Sequence, residues 1–73
     1  MQNSFSNAQP AARFRLESEL GVQWFSSAKD AALEAAHQLR FGTPSVTLHP
    51  SGGGKAGLER FEEITQELVK VFP

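Results

Sequence analysis

The sequence predicts an α+β fold: a two-layer sandwich in ββαβα order, with a three-stranded antiparallel sheet (order 3-1-2) and both helices packed on one face. Three observations predict it. Residues 12–17, 22–25 and 45–49 alternate apolar and polar side chains, the two-residue period of half-buried strands. Residues 28–41 and 58–72 repeat their apolar side chains at helical spacing instead. A right-handed crossover from the second strand through the first helix then sets the third strand beside the first.

Residues 1–10 (MQNSFSNAQP) hold Phe5 as their one large apolar side chain. So little apolar surface does not offset the entropy of ordering, so a mobile tail is expected, with Phe5 as its only anchor. A single domain is expected over residues 11–73. In the first strand Ala12, Phe14 and Leu16 share one face and Arg13, Arg15 and Glu17 the other. Ser18 to Gly21 supplies a turn. In the second strand Val22 and Trp24 share a face, opposite Gln23 and Phe25, and the two strands form a hairpin.

Ser26 or Ser27 caps the first helix, with Asp30 three residues after Ser27 as in a capping box. Gly42 and Pro44 end it. Its inner face is Ala28, Ala31, Ala32, Ala35, Ala36 and Leu39, small enough to lie close on a sheet while Trp24 and Phe14 fill the remaining volume. The third strand sets Val46 and Leu48 against Ser45, Thr47 and His49 between two prolines. A glycine-rich loop, residues 51–55, leads to the second helix. That helix's stripe is Leu58, Phe61, Ile64, Leu68, Val71 and Phe72, and its early acids and late Lys70 suit the helix dipole.

Composition removes several function classes. Seven Lys and Arg against eight Asp and Glu leave a net charge of −1, so the chain is not a generally basic nucleic-acid binder. With no cysteine there is no disulfide framework, cysteine-ligated metal or thiol nucleophile. No apolar run approaches the roughly 18 residues of a membrane span. The amino-terminal residues lack the pattern of a signal peptide, which makes the cytoplasm the expected compartment.

Catalytic and cofactor motifs are equally sparse. The segment His49 to Ala56 sits between strand and helix, as a phosphate-binding loop does. Yet His49 stands where the first glycine belongs and Ala56 where the magnesium-binding hydroxyl belongs, so nucleotide hydrolysis is not expected. Asp30, Glu34 and His37 share a side of the first helix, but no matching set on another helix completes a metal site. No nucleophile, base and orienting group can be assembled from spacing. Neither a cofactor nor a catalytic activity is expected.

Binding surfaces remain. Leu33, His37 and Phe41 repeat at four-residue intervals on the side of the first helix away from its alanines, a candidate stripe for a partner protein or for self-association. Residues 56–73 carry Glu59, Glu62, Glu63 and Glu67 against Arg60 and Lys70, a net −2. Of these, Glu59, Glu63 and Glu67 are candidate electrostatic contacts to a basic partner surface. An alternative is a nucleic-acid-binding module using Arg13, Arg15 and Phe25 on the open sheet face, with Lys55 from the glycine-rich loop.

The segment AKDAALEAAHQLRFGTPSVTL, residues 28–48, joins an alanine-rich helix to a strand through Gly-Thr-Pro. It resembles the middle of some small anti-CRISPR proteins of phages and prophages, and equally several bacterial ββαβ modules. The resemblance implies stoichiometric blocking of a CRISPR surveillance complex by surface contact. It carries over no functional residue.

Overall fold

A computed structural model describes residues 12–72. The tail expected over residues 1–10 lies outside them. Strands β1 (Phe14–Ser18) and β2 (Gly21–Phe25), helix α1 (Ala28–Arg40), strand β3 (Val46–Pro50) and helix α2 (Gly54–Val71) follow one another in the expected order. The sheet is antiparallel throughout, in order β2-β1-β3.

Ser18 pairs with Gly21, leaving Glu19 and Leu20 as a two-residue turn. The Ser18 hydroxyl accepts from Leu20 N–H at 3.1 Å, and Gly21 stands at φ +119°. This turn fixes which side chains share a face, because residues directly opposite one another point the same way. Leu16 therefore lies with Gln23 and Phe14 with Phe25, on the helix-covered face. Trp24 lies with Arg15 on the open face, where it is 47% exposed. The sequence expectation was the reverse for this strand: Trp24 does not fill the core, and Phe25 is half-buried against it.

On β1 the alternation holds. Phe14 and Leu16 are the largest fully buried side chains in the described residues. Phe14 meets Ala28, Ala31, Ala32 and Ile64, with Phe25, Leu48, Leu68 and Val71 packed around that cluster. Ser27 caps α1 by accepting from Asp30 N–H at 3.3 Å. At the other end Phe41 N–H donates to the His37 carbonyl, and Thr43 N–H to the Gln38 carbonyl at 2.9 Å, across Gly42 at φ +107°. The Thr43 bond, which spans Gly42, is the closure expected of a helix ending in glycine. Five alanines of α1 are buried, but Leu39, expected beside them, is more than one-third exposed.

α2 starts at Gly54, four residues before the expected Leu58. Residues 53–55 of the glycine-rich loop are therefore its cap and first turn. A side chain at Gly57 would put its Cβ 2.8 Å from the Gly52 carbonyl oxygen, and one at Gly52 would meet the Arg60 guanidinium at 2.7 Å. Arg60 in turn donates to the Ser51 carbonyl at 2.8 Å. The glycines let β3 turn back directly onto α2. The earlier start also removes the expected acids from the first turn, where Lys55 now stands and Glu59 does not.

The larger departure is in the stripe of α2. Of its six members only Ile64 is buried; Leu68 and Val71 are half-buried. Leu58 is 68% exposed, Phe61 57% and Phe72 44%.

Candidate functional site

α1 presents Leu33, His37 and Phe41 to solvent on successive turns. The Phe41 backbone ends the helix, but its ring stays outside at 77% exposure. It sits 4.7 Å from the His37 ring at an interplanar angle of 42°. Such a tilted pair suits two rings held on adjacent turns. All three residues border a groove of about 530 Å³, whose far side is formed by Lys70 and Val71 of α2. The stripe expected from the sequence is thus one surface, continued onto the second helix.

The expected carboxylates join it only in part. Glu67 is half-buried and accepts from Lys70 Nζ at 3.2 Å, which places it at the rim of the groove. Glu63 and Glu59 are exposed one and two turns earlier, and Glu59 lies about 12 Å along the helix from Glu67.

The open sheet face holds a compact polar cluster. Arg15 Nε lies 3.3 Å from one oxygen of Glu17, out of line for a hydrogen bond, and His49 Nε2 lies 3.1 Å from the other. The Arg15 guanidinium stands 6.0 Å from the Trp24 ring centroid. Glu17 thus sits between Arg15 and His49. Phe25 is on the opposite face, and Lys55 belongs to the helix layer. Of the four residues of the nucleic-acid alternative, Arg15 is on β1 and Arg13 immediately precedes that strand, and the other two do not join them.

Two features were not legible as sites. Gln38, on the polar side of α1, is buried: Ser18 Oγ donates to its Oε1 at 2.7 Å, and its Nε2 donates to Glu34 at 3.0 Å. This chain of bonds ties the end of β1 to α1. The second is an apolar cleft of about 580 Å³ between β3, α2 and the last turns of α1. Leu39, Val46, Leu48, Phe61, Val69 and Phe72 are among its walls. Its signal in the sequence was the width of the α2 stripe: Leu58, Phe61, Val69 and Phe72 spread beyond the arc that one buried face needs.

Among the described residues no group of three or more His, Cys, Asp or Glu side chains is arranged to hold a metal ion. No described helix is long and apolar enough to cross a membrane. Comparison with protein-family models, curated proteins and solved structures finds no match to this chain.

Proposed function

We propose that this chain is a small, non-catalytic protein-interaction module that binds its partner through Leu33, His37 and Phe41. The observation that carries the reading is Phe41: a phenyl ring 77% exposed at the end of a capped helix, beside a second ring and on a groove that Leu33 also borders. Helix capping accounts for its backbone and nothing in the fold accounts for its side chain. Aromatic anchors flanked by small grooves are what protein interfaces use as hot spots. Glu67 and Lys70 at the rim add orientation more than affinity. In its most specific form the module is a mobile-element inhibitor of the anti-CRISPR kind, acting in the cytoplasm on a CRISPR surveillance complex. That form is supported by the resemblance over residues 28–48.

The nucleic-acid alternative retains one favourable observation, the Arg15–Trp24 contact on the open face. Against it stands Glu17, whose carboxylate neutralises the surface that phosphates would approach.

The test is capture of partners from bacterial lysate by the tagged chain, with and without nuclease, beside a Leu33→Ser/Phe41→Ser variant. A protein retained after nuclease and lost from the variant supports the reading. Equal capture by both chains, or recovery of nucleic acid alone, overturns it. CRISPR-directed DNA cleavage that continues undiminished with the chain in excess removes the inhibitor form.

A further inference from the structure

The region beside β3 has the form of a contact with a second copy of this chain. β1 occupies one side of β3, and among the described residues no strand pairs with the other. Antiparallel pairs alternate between residues that exchange hydrogen bonds and residues that do not. Ser51 N–H donates to the Arg13 carbonyl at 2.8 Å, one step beyond the Phe14–Pro50 pair. Counting back by twos, His49 and Thr47 bond to Arg15 and Glu17. The backbone groups of Val46, Leu48 and Pro50 therefore face the open edge.

That edge is self-complementary. Pro50 has no N–H, so the free donors are those of Val46 and Leu48. An antiparallel copy centred on Leu48 keeps all five residues of each strand in register. Leu48 then meets Leu48, Val46 meets Pro50, and both free donors of each copy find a carbonyl on the other. Pro44 precedes the strand and Pro50 is its last residue, which limits the pairing to this length.

The helix layer makes the same contact apolar. Of the three strands, α2 rests chiefly on β3, so pairing at that edge brings two α2 helices side by side. No residue of β1 or β2 lines the cleft under α2, which places it on the β3 side of the sandwich. The flank of α2 above it carries Leu58, Phe61, Thr65, Val69 and Phe72, with no charge among them and Lys55 and Glu62 at its border. Glu59, Glu63 and Glu67 follow a separate row, so two like copies meet without opposing these carboxylates.

The exposed parts of Leu39, Leu58, Phe61, Val69 and Phe72 amount to something on the order of 500 Å², at the upper end of the apolar patches that monomers carry. With the strand edge, the surface approaches the about 800 Å² per partner of a stable complex. We propose that two copies associate about a two-fold axis at Leu48, joining their β3 strands into one six-stranded sheet and closing the α2 flanks over it. Leu33, His37 and Phe41 lie outside this contact, so the dimer would present two partner-binding stripes and stands or falls separately from that reading.

Sedimentation equilibrium on the full chain tests it, from about 5 to 500 μM so that mass action can be followed. The expected result is a rise from the 8.0 kDa of one chain towards twice that mass. Phe61→Glu and Val46→Pro should hold the mass at one chain; proline at 46 removes an outward donor and leaves the bonds to β1 intact. A chain that stays at 8.0 kDa throughout overturns the proposal. So does a dimer that persists in both variants with their circular dichroism unchanged. Should either variant unfold, amide hydrogen exchange on the unaltered chain decides. Protection of the Val46 and Leu48 amides that grows with concentration supports the pairing, and protection independent of concentration rejects it.

Discussion

The two helices have nearly the same kind of apolar periodicity and opposite fates. α1 buries five alanines against the sheet; α2 offers a stripe of leucine, isoleucine, valine and phenylalanine and buries only Ile64. Size explains the contrast. Alanine lets a helix approach the strands closely, so α1 takes the centre of the sheet, above β1. α2 carries bulkier residues and rests on α1 and the edge strand, where there is not enough sheet to cover its whole stripe. Periodicity therefore identifies an apolar face without saying whether this chain or another one covers it.

Substitutions on each helix test that contrast. The largest effect is expected at the one place where α2 is fully engaged: Ile64→Ala should cost about 2–5 kcal/mol, read as a lower urea midpoint. A loss well under 1 kcal/mol would mean that α2 is docked more loosely than its burial indicates. On the other helix, Ala32→Leu should cost about 1–3 kcal/mol, because a fully buried alanine against the sheet leaves no room for added methylenes. If that change were neutral, α1 would not be the closely seated helix and the contrast would collapse. The smallest effect is expected on the outer flank of α2. Val69→Ser, measured where the chain is a single copy, should shift stability by less than about 0.5 kcal/mol. A large loss there would show that the flank is already covered.

The sheet shows how near a sequence reading can come and still invert a strand. Both strands of the hairpin were legible, and the face of β1 was right because Phe14 and Leu16 have no apolar competitor on the other side. β2 has large side chains on both faces, Trp24 on one and Phe25 on the other, so alternation alone does not orient it. The two-residue turn does: once Ser18 pairs with Gly21, Gln23 must share a face with Leu16 and Phe25 with Phe14. With that strand reversed, Phe25 leaves the nucleic-acid surface and Trp24 takes its place beside Arg15.

The candidate partner surface was more legible. Leu33, His37 and Phe41 could be placed from helical spacing alone, since a capped helix of known phase has a computable outer side. Their joining to Lys70 and Val71 across a groove could not, because it depends on where α2 lies. Burial of Gln38 was equally hidden: a glutamine on the edge of a polar face is buried only when a partner such as Ser18 happens to reach it.

The element order, the strand pairing, the end of α1 at Gly42 and the alanine face that seats it are all written in the chain's own pattern. These follow from local rules, in which backbone preference and period act within a few residues. Which side of β2 faces the core, how much of α2 stays uncovered and where the apolar cleft opens are set by the assembled fold. Each of these depends on contacts between segments far apart in the chain. A residue's own chemistry makes burial favourable, but whether it is buried depends on the area that the other elements have left to cover it.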